Sequence, residues 1–195
     1  MFERFTDPMT VVNLARQGNL ETLQKLIHGG CRIDRRTTYD PWMTPLDAAA
    51  VVGNAACADL LLRAGAPLWG SSIFEAIQVD SRPILEVFHR HDAVFFRDFR
   101  KDKEFSPNPR LNRWLLHFTA LDYALSIGAT ACSGFLTEVG AQKKDKFTKC
   151  RRGHYAPLIK DESFVSVVGM NLDGLCEATE GYYCAKCEAF VRGAM

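Results

Sequence analysis

The sequence TPLDAAA at residues 44–50 decides the fold, because a close copy, TALDYAL, recurs at residues 119–125. Each copy is followed by a glycine, Gly53 or Gly128, and then by a second apolar segment with helical periodicity. Glycine readily adopts the left-handed conformations that tight turns between helices require. The chain is therefore predicted to repeat a unit of two short helices joined by a turn.

The same plan can be followed through most of the chain, in units at about residues 7–38, 42–68, 70–94 and 117–142. In the first unit, a helical stripe of apolar side chains ends at Gly29 and Gly30. The third unit is degenerate, with helices predicted at residues 73–77 and 82–88 and Ser81 as the cap of the second. Because such units bury a core only by stacking on one another, we predict a mainly α solenoid.

The second unit resembles the ankyrin repeat. Its Thr44-Pro45-Leu46-Asp47-x-Ala49 matches the family signature Thr-Pro-Leu-His-x-Ala except at Asp47, where an aspartate can still bond nearby backbone amides. Residues 61–66, Leu-Leu-Arg-Ala-Gly-Ala, are similar to the family's ending of helix two, and residues 135–141 are a looser copy. The resemblance implies an ankyrin-repeat solenoid over residues 1–142 that binds protein partners.

A long insertion interrupts the solenoid at residues 95–116, where the family's connecting finger is much shorter. Insertions in repeat proteins often lie on the binding face. We interpret this one as a docking loop, since it combines the arginine and aromatic side chains that dominate interface energies: Arg97, Phe99, Arg100 and Trp114. The alternative is a solvated loop whose aromatic rings pack back onto the stack.

The connection between the first two units is a second candidate for partner contact. It carries Arg35, Arg36, Tyr39 and Trp42 where an exposed finger is expected. These are again residue types that anchor interfaces. The alternative is that Trp42 packs underneath the finger and contributes only to the fold.

The tail carries a set of four metal donors in two pairs, Cys150 with His154 and Cys184 with Cys187. Zinc prefers a tetrahedral set of sulfur and nitrogen ligands, and structural sites use four protein donors. Such a closed set leaves no position for an activated water. We therefore predict one structural Zn²⁺, with Cys176 as the alternative fourth ligand in place of His154.

Residues 143–195 resemble a treble-clef zinc finger, in which a first knuckle and a hairpin precede Cys-x2-Cys at the start of a helix. The stretch at residues 163–169 alternates like a strand, and residues 188–192 are predicted as the short helix. The resemblance implies a small α+β zinc-binding module. About 50 residues bury too little apolar surface to fold without such help.

The overall composition argues against several functional classes. The 195 residues carry a formal net charge of +1, so we do not expect nucleic acid as a partner. No apolar run is long enough to span a membrane, and the N-terminal residues do not read as a secretory signal. Seven cysteines, an odd number, argue against a closed set of disulfides and favour a reducing intracellular compartment, the cytoplasm, the nucleus or an organelle.

Three functional hypotheses follow from these features. The first is a non-catalytic scaffold or subunit of a large assembly, docked through the fingers and the insertion. The second is a regulatory adaptor that brings a target protein to an enzyme; unlike an assembly subunit, it should expose no large apolar patch. The third is an enzyme with Cys184 or Cys187 as nucleophile and His154 as base. We expect the protein not to be an enzyme, because Cys-x2-Cys spacing is better explained by a metal.

Overall fold

A computed structural model describes residues 7–37, 43–92, 118–143, 145–165 and 178–191, with only the backbone described at residues 159–165, 178–182 and 189–190. The described residues form eight helices and four strands. The helices are α1 Pro8–Gln17, α2 Leu20–His28, α3 Pro45–Val51, α4 Ala55–Arg63, α5 Gly70–Gln78, α6 Arg82–His91, α7 Ala120–Ile127 and α8 Thr130–Glu138. The strands are β1 Phe147–Lys149, β2 Tyr155–Val165, β3 Ala178–Cys184 and β4 Ala189–Phe190. The predicted mainly α architecture, with a small strand region after it, is confirmed.

The two signature stretches begin helices α3 and α7 in the same way. Thr44 Oγ1 accepts from the amide of Asp47, and Asp47 Oδ2 accepts from the amide of Thr44, both at 3.0 Å. Thr119 and Asp122 form the same reciprocal pair at 3.1 and 3.0 Å. Each pair is a capping box that satisfies amides at the helix start, so the aspartate performs a local role at the position where the family has histidine.

The first helices of the four units lie side by side, and so do the second helices. Small side chains let neighbouring helices approach closely, and Ala48, Ala49 and Ala50 of α3 are fully buried. The core continues through the third unit, where Ile73 and Ile77 are also fully buried. One hydrophobic cluster therefore extends from α1 to α8, as stacking of the units predicts.

The turns inside the units share one backbone conformation. Gly18, Gly53 and Gly128 have positive φ, and Asp80 takes the same position in the third unit with φ 50°. Asp80 reaches the next unit, where its carboxylate accepts from the amides of Ala131 and Cys132 at the start of α8. Ser81, the predicted cap of α6, makes no side-chain capping bond.

The tail is a four-stranded antiparallel sheet in the order β1-β2-β3-β4. The prediction of a short helix after Cys187 is wrong for the described residues. Glu188, with φ 50°, closes a turn by donating its amide to the carbonyl of Ala185, and Ala189 then pairs with Cys184. This turn reverses the chain, so that β4 runs antiparallel to β3.

The sheet packs against the last unit of the stack. The ring of Tyr183, which is 1% exposed, contacts Phe118 edge-on at 6.2 Å between centroids. Ser126 Oγ of α7 donates to the carbonyl of Tyr155 at 2.9 Å. Tyr183 belongs to the same hydrophobic cluster as the helices, so the sheet covers the end of the stack. Within the described residues, no helix is long and apolar enough to cross a membrane.

Candidate metal centre and its contact with the repeat stack

Four donor side chains converge at one end of the tail's sheet, where the β1–β2 turn and the β3–β4 turn lie side by side. They are Cys150, His154, Cys184 and Cys187, and their potential ligand atoms all lie within 4.8 Å of one another. Cys187 Sγ lies 3.9 Å from Cys150 Sγ and 3.4 Å from His154 Nδ1. Cys184 Sγ lies 3.7 Å from the same nitrogen.

These separations match the requirements of a tetrahedral ion. Zinc bound at about 2.3 Å to sulfur and about 2.0–2.1 Å to nitrogen sets sulfur pairs about 3.8 Å apart and sulfur–nitrogen pairs about 3.6 Å apart. The observed 3.9, 3.7 and 3.4 Å fall around these values. The four residues could therefore hold one metal ion. Cys176, the alternative ligand, lies outside the described residues.

Each donor pair sits on a tight turn that the sequence makes possible. In the first turn, the amide of Gly153 donates to the carbonyl of Cys150 at 2.8 Å, and the amide of Cys150 donates to the carbonyl of His154 at 3.0 Å. Gly153 has φ 80°, which a side chain would disfavour. The second turn is closed at Glu188. Each turn sets the spacing of its own donor pair, and the antiparallel pairing of β2 with β3 brings the two turns into one site.

The local environment shifts the pKa values of two of these thiols in opposite directions. Burial opposes ionisation of Cys150, but amide hydrogen bonds from Arg152 and His154 and the neighbouring thiols together hold its pKa below the usual value. Burial raises the pKa of Cys184 to about 12. Metal coordination requires thiolates, so binding must displace at least the Cys184 proton, and affinity for the metal should fall as the pH falls.

The residue next to the ligand His154 joins the metal centre to the stack. Tyr155 Oη donates to Asp122 Oδ1 at 2.8 Å. In the second unit the equivalent oxygen, Asp47 Oδ1, accepts from Ser71 Oγ at 2.9 Å and from Ser72 Oγ at 2.6 Å. Those serines begin α5 of the following unit. Tyr155 therefore makes, from the sheet, the contact that the next unit of the stack would otherwise make.

The repeat geometry agrees with comparisons to known proteins. A family model described as the ankyrin repeat matches residues 42–69. Residues 42–69 form an ankyrin repeat. No curated protein sequence matches the chain. The family match covers the second unit and its capping box, which is the part of the ankyrin stack closest to the family signature.

Solved structures of ankyrin domains share the fold at low sequence identity. The human ASB11 ankyrin repeat domain aligns with TM-score 0.53 and 23% identity over 68% of this chain and 54% of that one. The ankyrin repeat domain of Bcl-3 aligns with TM-score 0.51 and 21% identity over 72% of this chain and 59% of that one. The chain spans little more than half of either structure, and the likeness shows the fold.

The predicted partner-binding residues are only partly covered by the structure. Arg35 is exposed, and Arg36 is half-buried with its guanidinium carbon 5.8 Å from the centroid of the Trp69 ring. The other predicted contacts lie outside the described residues, namely Tyr39, Trp42, Arg97, Phe99, Arg100 and Trp114. Their role in docking stays a prediction.

Sequence reasoning missed the residues that connect the metal centre to the ankyrin stack. Tyr155 and Tyr183 each stand beside a predicted ligand, and an aromatic side chain next to a ligand is a usable signal of packing. The sequence carried a stronger signal for Asp122, because this residue occupies the same position in its signature stretch as Asp47 does in the other. Nothing in the sequence indicates that one oxygen of each aspartate serves the neighbouring unit.

Proposed function

We propose that the protein is a non-catalytic protein-interaction protein, a scaffold or an assembly subunit, whose ankyrin stack docks a partner and whose tail holds one structural Zn²⁺. The observation that carries the proposal is the combination of a helical stack with a closed set of four donors packed on its end. Ankyrin fingers present loops on a rigid support, which suits binding. The proposed docking residues are Arg35, Arg36, Tyr39, Trp42, Arg97, Phe99, Arg100 and Trp114.

The case for zinc rests on the donor chemistry. Three thiolates and one imidazole at tetrahedral separations suit Zn²⁺ better than the harder ions that prefer oxygen. The ion would hold the two turns of the sheet together and so fix Tyr155 and Tyr183 against the last repeat. We place the division between the ankyrin region and the zinc module at residues 142 and 143.

A catalytic use of the cysteines is less well supported. A nucleophilic cysteine needs a pKa below the usual value and an accessible sulfur. Cys184 is fully buried and burial raises its pKa to about 12. With four protein donors, a tetrahedral zinc also keeps no open position for water or substrate.

One observation favours a transient adaptor over an obligate subunit. In the part of the chain that the structure describes, the exposed large apolar side chains are Leu20, Val52, Val79 and Phe147, on different elements. Obligate interfaces are larger and more apolar than this. The cysteines of the described residues are free, which suits the reducing compartment that we propose for the protein.

Two measurements test the proposal. Native mass spectrometry of the purified chain should show one zinc per chain, and Cys184→Ser should lose it; a metal-free wild type would refute the zinc site. The native size in a gentle extract of the source then separates the two roles. A large stoichiometric complex supports the assembly subunit, and a species near 21.9 kDa supports the adaptor. If partner binding is lost only when the zinc ligands are mutated, docking through the fingers is contradicted.

A further inference from the structure

The chain's basic residues are concentrated around the first metal-binding turn. Residues 143–154 contain six of the chain's 24 basic residues but one of its 23 acidic residues. This stretch therefore carries five net positive charges, whereas the whole chain carries +1. We expected no nucleic-acid partner because the net charge of the whole chain is close to zero. That total conceals the local excess of positive charge at residues 143–154. A local basic patch is the electrostatic feature that matters for binding a polyanion.

The fold displays four of these six basic residues on one hairpin, residues 146–157, which we call the basic hairpin. Lys146 precedes β1, Lys149 ends it, and Arg151 and Arg152 form the turn between the ligands Cys150 and His154. All four basic side chains are exposed. Among the described residues, no carboxylate lies within ion-pair distance of them.

The metal site neutralises only part of this charge. Zn²⁺ with three thiolates and a neutral imidazole leaves one net negative charge. The four cations of the basic hairpin exceed this, and the exposed Lys186 of the second turn adds another. The surplus is available to an external anion.

An exposed aromatic ring lies among the cations. Phe147, on β1, is 46% exposed, and its ring lies 4.9 Å from that of Tyr155 at an interplanar angle of 31°. Lys143 Nζ is 5.2 Å from the centroid of the same ring. The antiparallel register places Phe147 opposite Pro157 and Lys149 opposite Tyr155, so Phe147 and Lys149 share one face of the hairpin.

We propose that the basic hairpin binds single-stranded nucleic acid, RNA or DNA. Lys146, Lys149, Arg151 and Arg152 contact phosphates. A base stacks on the Phe147 ring by displacing the flexible Lys143 side chain, whose ammonium lies over that ring. Cations that follow the backbone together with a stacking ring are the features of sequence-tolerant single-strand binding. An acidic protein segment would use the same cations but has no need of the ring. This activity is additional to protein docking by the ankyrin fingers.

The test is fluorescence anisotropy of labelled oligouridylate and oligothymidylate of roughly 20 nucleotides, long enough for one site. We expect the full-length, zinc-loaded protein to bind both with Kd of about 1–100 µM near physiological salt. Four phosphate contacts predict a slope of log K against log salt of about −3. A polyglutamate peptide of matched charge serves as the competing class of partner.

Two variants locate the site. A triple variant should weaken binding at least tenfold and reduce the slope of log K against log salt by about 2. It combines Lys149→Ala, Arg151→Ala and Arg152→Ala. The matched control, Arg16→Ala, Lys25→Ala and Arg90→Ala, removes three exposed cations from the stack and should change binding less than twofold. Phe147→Ala should weaken binding about tenfold with an unchanged slope, and Phe147→Trp should restore it.

The outcomes separate this proposal from the zinc proposal. Zinc content and melting temperature are measured for every variant, and a variant that loses zinc is replaced by single substitutions of the same residues. Absence of binding by zinc-loaded protein, or equal losses in the triple variant and its control, overturns the nucleic-acid site alone. Equally tight polyglutamate binding that is insensitive to Phe147→Ala assigns the hairpin to an acidic protein segment instead.

Discussion

At the scale of the residue, one aspartate per signature stretch serves two partners. Asp47 is 2% exposed; its Oδ2 accepts from its own helix start and its Oδ1 from two serines of the next repeat. Asp122 is fully buried and divides its oxygens in the same way between Thr119 and Tyr155. A buried carboxylate is tolerated only when its hydrogen bonds are satisfied, so these residues fix neighbouring units to one another.

Asp47→Ala should destabilise the stack by about 3 kcal/mol. The substitution removes a helix cap and leaves the Thr44 amide and two buried serine hydroxyls without their acceptor. Urea unfolding followed by circular dichroism measures the change. Asp34→Ala is the control, since it removes an exposed carboxylate paired with Arg32 and should cost below about 0.5 kcal/mol. Equal losses for the two variants would show that the link to the next repeat is not stabilising.

Tyr155→Phe tests the link between the metal centre and the stack. It removes the hydroxyl that donates to Asp122, and we expect a loss of about 1–2 kcal/mol with zinc still bound. A double-mutant cycle with Asp122→Ala, at saturating zinc, isolates the pair. A coupling energy of about 1 kcal/mol is expected; additive effects would mean that the contact contributes nothing.

Two tyrosines with raised pKa values, the buried Tyr123 and the half-buried Tyr155, predict loss of stability at alkaline pH. Burial, then Glu75 and Glu188, raises the pKa of Tyr123 to about 12, and burial and Asp122 raise the pKa of Tyr155. Below pH ~10, the two tyrosines are neutral in the folded and in the unfolded chain. Above it, the unfolded chain ionises while the folded chain stays protonated, so each tyrosine lowers stability by about 1.4 kcal/mol per pH unit. Urea midpoints from pH 9.5 to 11.5 should fall less steeply in Tyr155→Phe; an unchanged slope contradicts the assignment.

At the scale of the element, helix α8 depends on a residue outside it. Ala129 at its N-cap has no side-chain acceptor, and Asp80 of the preceding repeat supplies the carboxylate instead. In this position Asp80 has a left-handed backbone conformation with φ 50°. Aspartate and asparagine tolerate this conformation better than other residues with a side chain. Arg82 adds a second link from α6 to α8, where its guanidinium bonds both oxygens of Glu138.

Asp80→Ala should therefore cost about 2 kcal/mol, of which about half comes from the lost cap and half from the strained backbone. Asp80→Asn keeps an acceptor and the tolerance for positive φ, so it should cost less than about 1 kcal/mol. Thermal unfolding of both variants gives the comparison. If alanine and asparagine cost the same, the carboxylate is not the cap of α8.

At the scale of the whole molecule, the sheet behaves as the terminal unit of the stack. End repeats need a polar outer cover, because the last apolar face would otherwise meet water. Here Tyr155 contacts Asp122, Ser126 contacts the Tyr155 backbone, and Tyr183 covers Phe118. The positions of these contacts depend on the two turns that carry the metal donors.

Removal of zinc should loosen the last repeat selectively. Zinc ligation supplies on the order of 10 kcal/mol to small modules, so a chelator or Cys184→Ser should unfold the sheet and uncover α7 and α8. Hydrogen exchange with mass spectrometry should show faster exchange in α7 and α8 and little change in α1 and α2. Cys31→Ser, a thiol outside the donor set, is the control. Uniform exchange across all four repeats would mean that the sheet does not cap the stack.

Local sequence was sufficient for the helices, and it singled out the four side chains that the structure brings together in one cluster. Periodicity, capping residues and turn glycines act within a few positions, so α3, α4, α7 and even the degenerate α5 and α6 were predictable. The segment after Cys187 was not, because its residues suit a short helix as well as a strand. Pairing with β3 is a contact between segments, and it decided in favour of β4.

The sequence by itself determined that the chain repeats a two-helix unit and that four donors stand at metal-binding spacings, since both are patterns of residue type along the chain. The tertiary structure alone decided that the sheet with the four donor side chains covers the stack. It also decided that Asp122 bonds Tyr155 and that the side chains of Lys146, Lys149, Arg151 and Arg152 stay exposed beside the stack. Each of these features depends on the packing of the sheet against the last repeat. Only burial of that repeat's apolar face selects this packing.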